Sequence, residues 1–202
     1  MTLVKPGIID RIVLLSTGVI ASFQVVSGLN HLSDLAALYY TIAFGILIIA
    51  CILLVLFGYD ILENKAVVVI SSFIPLFISL GLVNSYLPDY HYLYLIFSVC
   101  GLIFIIITRF SKQKLFSILS IVLVHGIAGL LIFILPLVLS LKGVVKPAFL
   151  LIGLGGGLIG LGGIALAFLR SGSSRISKKV ILKLTPFMFF SVTLLISIGL
   201  SI

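Results

Sequence analysis

Two short segments of the sequence combine histidine with a carboxylate. The segment NHLSD contains His31 and Asp34, and the segment PDYH contains Asp89 and His91. Imidazole and carboxylate groups bind Zn²⁺ and other divalent cations, so these four residues are a candidate metal site if the fold brings both segments together. The alternative is that each pair arises by chance, since histidine is also common at membrane interfaces.

Three other polar residues, Gln24, Asn84 and His125, lie inside long apolar stretches. An ionisable side chain within a membrane is a candidate functional residue, and His125 could relay protons, respond to pH or bind a metal. A haem with two axial histidines is disfavoured, because no second histidine lies at a similar depth. The alternative is structural: a neutral imidazole bonded to a neighbouring helix, and two amides that join helices or line a polar cavity.

The segment 151–170, LIGLGGGLIGLGGIALAFLR, raises the question of a nucleotide site. Its pattern Gly155-x-Gly157-x-x-Gly160 matches the dinucleotide fingerprint, which also requires a preceding strand and an acidic residue about 20 positions later. Apolar residues flank the pattern on both sides, and no Asp or Glu follows Asp89. We therefore expect a membrane helix here rather than a phosphate-binding loop.

A packing seam is the expected role of these glycines. The residues that share one helix face, at spacings of three and four, are Gly153, Gly156, Gly160, Gly163 and Ala167, and Gly153/Gly157 and Gly156/Gly160 form GxxxG pairs. Helices in lipid are held together by close backbone contact and dispersion, which glycine permits. The seam could pack within the chain, contact a second copy or another subunit, or line a gated pathway.

The composition indicates that lipid is the main solvent of the chain. Of its 202 residues, 62% are hydrophobic and 9% are charged, whereas soluble domains carry about 25% charged residues. The net charge of +8 comes in short clusters between apolar segments, which is typical of topology signals rather than of nucleic-acid binding. The two cysteines, Cys51 and Cys100, lie singly in apolar stretches, which disfavours a disulfide framework or a zinc centre.

Charged and turn residues divide the chain into seven apolar segments, near residues 8–29, 35–57, 66–87, 92–108, 115–141, 147–169 and 181–202. Most reach the roughly 20 residues that cross the hydrocarbon layer, and backbone groups in lipid must be satisfied within a helix. The expected fold is an all-α integral membrane protein: one domain over 1–202, a bundle of seven transmembrane helices with short loops and no soluble domain. Pro75, Pro136 and Pro186 should kink their helices or lie near helix ends.

The positive charges predict a cytoplasmic N-terminus. In that orientation eleven of the 13 Lys and Arg residues are cytoplasmic, and only Lys142 and Lys146 lie outside. This bias follows the positive-inside rule, and all the tyrosines except Tyr59 lie at the outer ends of the spans, as an aromatic belt would. We therefore expect an N-in, C-out protein of a prokaryotic plasma membrane.

Seven spans also allow a 3+1+3 plan with two parallel triplets. The segment ISLGL at 78–82 resembles ISIGL at 196–200, although Pro75 and Pro186 do not keep this register. A true parallel repeat would favour a transporter built from duplicated halves.

The function favoured by the sequence is that of a non-catalytic, membrane-embedded accessory or assembly subunit of a larger complex. Its expected partners are the lipid bilayer and a second protein or a second copy, contacted through the sixth span, and not nucleic acid. An enzyme is disfavoured, because Asp10 is the only acid in the spans and no hydrolase motif occurs; no cofactor is implied. The alternative is a small-solute, ion or proton transporter or channel that works through the helix bundle.

Overall fold

The computed structural model describes residues 5–27, 29–30, 32–111, 113–171 and 178–201, without the side chains of 63, 114, 162–171 and 178–179. These residues form helices and turns, and no strand occurs among them. The α-helices are α1 (Ile8–Ser27), α2 (Asp34–Phe57), α3 (Lys65–Ser71), α4 (Phe73–Tyr86), α5 (His91–Phe110), α6 (Lys114–Leu141), α7 (Leu150–Ser171) and α8 (Lys178–Leu200). Short 3₁₀ helices occur at Tyr59–Glu63, Pro88–Tyr90 and Pro147–Phe149.

Six helical segments of the described chain are long and apolar enough to cross a membrane. They are Ile8–Ser27, Asp34–Phe57, Lys65–Tyr86, Pro88–Phe110, Leu115–Leu141 and Val180–Leu200. A shorter apolar stretch, Pro147–Leu161, covers the start of α7. The prediction of an all-helical, multi-pass membrane protein is thus confirmed, and six of the seven predicted spans coincide with these segments.

The third predicted span consists of two helices rather than one. α3 ends at Ser71 and α4 begins at Phe73, with Ser72 between them. Pro75 is the third residue of α4, and its ring would clash with the carbonyl of Ser71 in a continuous helix. By contrast, Pro136 and Pro186 lie inside the continuous helices α6 and α8.

Six of the helices form a closed ring in the order α1, α2, α4, α6, α7, α8 and back to α1. α5 lies outside this ring, against α4 and α6, and α3 packs against α5. The ring therefore consists of two consecutive triplets, α1–α2–α4 and α6–α7–α8. It closes through two contacts between the triplets, α4 with α6 and α8 with α1.

The inside of the ring is filled with apolar side chains. One continuous cluster of buried residues draws on every ring helix, for example through Leu14, Phe44, Ile78, Ile132, Ile152 and Ile196. A smaller cluster under α5 joins Val69, Leu76, Ile105, Val124 and Ala128. Lipid-facing apolar residues cover much of the outer surface, as they must when the solvent is hydrocarbon.

One turn of the chain depends on a glycine backbone. Gly58 ends α2 with φ 78° and ψ −171°, a conformation that is almost restricted to glycine. Its N–H donates to the carbonyl of Leu54, and the chain then enters the 3₁₀ helix Tyr59–Glu63. This turn directs Tyr59 into the bundle, where the residue is buried.

Candidate functional site

A buried polar region lies at the end of the bundle where α1 ends and α2 begins, here called the first-loop end. Tyr39 of α2 and His91 of α5 form a hydrogen bond of 2.9 Å between Oη and Nε2. Tyr39 is 7% exposed and His91 is 6% exposed. The edge of Phe77 packs against Tyr39, and the ring of Tyr92 packs against His91, so aromatic groups surround this pair on several sides.

Two more polar contacts join helices at the same end. Ser79 of α4 and Tyr94 of α5 are 2.8 Å apart at their hydroxyl oxygens. The Asn84 amide donates to Ser33 Oγ at 3.2 Å, and Ser33 in turn caps α2 by accepting from the Ala36 N–H.

Gln24 joins α1 to the residue that follows α8. Its Oε1 accepts a hydrogen bond from Ser201 Oγ at 3.3 Å, and Gln24 itself is completely buried. Since Gln24 is near the end of α1 and Ser201 follows α8, these two helices run parallel. This contact lies at the seam that closes the ring.

His125 lies apart from Gln24 and Asn84. It occupies the middle of α6, on the side that contains the buried residues Val124 and Ala128. Its Nδ1 is buried and makes no hydrogen bond within the described chain; the Ile121 carbonyl one turn earlier interacts with the ring without reaching hydrogen-bond geometry. The three predicted polar residues therefore lie at separate positions and do not form one site.

The four residues of the candidate metal site are only partly described. His31 lies outside the described residues, whereas Asp34, Asp89 and His91 belong to them. No three His, Cys, Asp or Glu side chains converge in the described part of the chain. His91 also uses its Nε2 to contact Tyr39, so this nitrogen is occupied by a protein partner.

The first half of α7 packs on α6 through its glycines. A Cβ added at Gly156 would lie 2.7 Å from Ile132 Cγ2 and 2.9 Å from the backbone nitrogen of Phe133. At Gly153 it would lie 3.0 Å from the Phe133 carbonyl oxygen, and at Gly157 it would lie 3.3 Å from the Phe133 ring. Backbone and side chains of α6 therefore fill the space that larger residues on α7 would need.

The remaining glycines of this segment have different surroundings. Gly155 faces α8, where an added Cβ would lie 2.8 Å from Ile196 Cγ1. At Gly160 nothing lies within 4 Å of the added Cβ, and the same holds for Gly129 on α6. Gly163 belongs to α7, but its contacts lie outside what the structure describes.

A second polar contact region lies at the opposite end of the bundle. Tyr59 is 2% exposed, and burial together with the nearby carboxylate of Asp10 raises the pKa of Tyr59. Asp10 also accepts a hydrogen bond of 2.9 Å from the Gly7 N–H, which caps α1. This arrangement keeps the phenol neutral and fixes the start of α1.

The hydrogen bonds described above hold neighbouring helices in position. The contacts between helices are hydrogen bonds between two side chains. The surface groove of about 470 Å³ along α5 is almost entirely apolar, and its lining residues are Tyr90, Leu93, Tyr94, Ile96, Phe97 and Cys100. Sequence reasoning missed the pairs Tyr39–His91 and Ser79–Tyr94. It also missed the contact between α5 and α6 in which the hydroxyl oxygens of Thr108 and Ser120 are 2.7 Å apart. The one sequence feature that could have indicated these pairs is the presence of hydroxyl residues inside apolar spans.

Comparison with family models, with curated proteins and with solved structures finds no match for this chain.

Proposed function

We propose that the chain is a seven-span protein of a prokaryotic plasma membrane that serves as a non-catalytic assembly subunit of a larger complex. The observation that carries this proposal is the apolar cluster inside the ring, to which all six ring helices contribute. A ring packed in this way provides a rigid body with lipid-facing walls. Several of its polar side chains hydrogen-bond to one another across neighbouring helices.

The count of seven spans is supported by the position of α7. This helix has 22 residues, which at 1.5 Å per residue spans about 33 Å, close to the hydrocarbon thickness. Its contacts with α6 run antiparallel, since Gly153 lies near Pro136 and Gly156 near Ile132. Its contacts with α8 are also antiparallel, since Ile152 lies near Gly199 and Gly155 near Ile196. A helix with two antiparallel spanning neighbours at the same level belongs to the same layer of the membrane.

The proposed orientation has the N-terminus in the cytoplasm. The end of the bundle where α1 begins and α2 ends carries most of the described Lys and Arg residues, as the positive-inside rule requires of a cytoplasmic face. Lys65 at this end lies over the ring of Phe110, 5.8 Å from its centroid. The first-loop end carries the exposed Tyr90 and Tyr92, which would lie among the headgroups.

The sixth predicted span corresponds to α7, and only part of this helix is free for the predicted contact with a partner. Gly153, Gly155 and Gly156 face helices of the same chain, so a second protein can reach this helix only from residue 160 onward or on its outward side, where Leu154 and Leu161 are exposed. Packing within the chain is thus the role we propose for the first half of the glycine seam.

Co-purification tests the assembly role. The chain, tagged at its N-terminus and expressed at its native level, is extracted from native membranes in mild detergent and analysed by native electrophoresis and mass spectrometry. We expect a particle larger than one chain that contains a defined second protein in constant ratio. A monodisperse single chain, recovered under several mild detergents, would contradict the proposal.

A proton or small-solute transporter is the second candidate, and His125 is the observation that favours it. A buried imidazole nitrogen without a hydrogen bond is costly in hydrocarbon, and such residues mark ion pathways in other membrane proteins. Reconstitution in liposomes with an internal pH dye tests this function. Proton flux that is lost in His125→Leu and kept in a neighbouring control, Gly126→Ala, would support transport over assembly.

A further inference from the structure

We draw no further inference here: the strongest candidate, the apolar surface groove along α5 between Tyr90 and Cys100, is an exposed apolar face, and nothing in the structure shows what covers it.

Discussion

Gly156→Ala and Gly160→Ala form a matched pair that tests the packing of α7 on α6. Both residues lie on the same helix and belong to the same GxxxG pair. The added methyl group meets the backbone of α6 at Gly156, 2.9 Å from the carbonyl carbon of Ile132, whereas nothing lies within 4 Å at Gly160. The two variants therefore change the same atoms in different surroundings.

The expected difference follows from these distances. Carbon atoms pack at about 3.5–4.0 Å, so the methyl group at position 156 forces α6 and α7 apart by up to about 1 Å along the contact. Overpacking of this kind costs typically about 1–3 kcal/mol, and rotation of the Ile132 side chain cannot relieve it because the obstacle includes backbone. Gly160→Ala gains helix propensity of up to about 1 kcal/mol. A difference of about 2 kcal/mol between the variants is therefore expected.

Thermal unfolding in detergent measures this difference. The chain contains no tryptophan, but Cys51 is buried while Cys100 is exposed. In a Cys100→Ser background, a thiol-reactive dye therefore reports the exposure of Cys51 on unfolding. For a chain of this size, about 2 kcal/mol corresponds to roughly 4–8 °C in Tm, with Gly156→Ala below the parent and Gly160→Ala at or above it.

Equal melting temperatures for the two variants would refute this reasoning. So would a destabilised Gly160→Ala beside an unchanged Gly156→Ala. Either result would mean that α7 does not approach α6 through Gly156, and the glycine seam would then require another partner.

Three other contacts are tested by the same assay. Gly58→Ala places a side chain at φ 78° and should cost about 1–3 kcal/mol; an unchanged Tm would show that the turn after α2 is not left-handed. Gly81→Ala should destabilise, because the added Cβ meets the Tyr40 ring at 2.5 Å, whereas Gly45→Ala, with nothing within 4 Å, should not. Tyr94→Phe removes the hydroxyl that contacts Ser79 and should cost about 0.6 kcal/mol, the average for such bonds in membranes; a loss above about 2 kcal/mol would indicate a larger polar network.

The sequence was sufficient to predict the helical spans because their signal is local. Runs of about 20 apolar residues between charges define a membrane helix whatever the neighbouring helices are. The interpretation of 151–170 as a helix rested on the same logic, since a phosphate-binding loop needs polar and acidic context that this chain lacks. The break at Ser72 was not predicted, because Pro75 allowed either a kink or a helix end and the sequence does not choose between them.

The polar contacts between helices could not be predicted, because they join residues far apart in the chain. Tyr39 and His91 are separated by 52 positions, and nothing near either residue specifies the other. The glycines show the same limit: Gly156 and Gly160 are alike in sequence, yet only Gly156 lies against α6. Which residues meet is decided by the order of helices around the ring, and this order is a property of the whole fold.

Cysteine labelling from the two sides of the membrane tests the seven-span arrangement most directly. In a chain with both native cysteines replaced by serine, Gly7→Cys and Ser201→Cys are exposed one at a time to a membrane-impermeant maleimide on intact cells. The account predicts that Ser201→Cys reacts from outside, and that Gly7→Cys reacts only after the cells are opened. Reaction of both from the same side would mean an even number of spans and would contradict the seven-span arrangement.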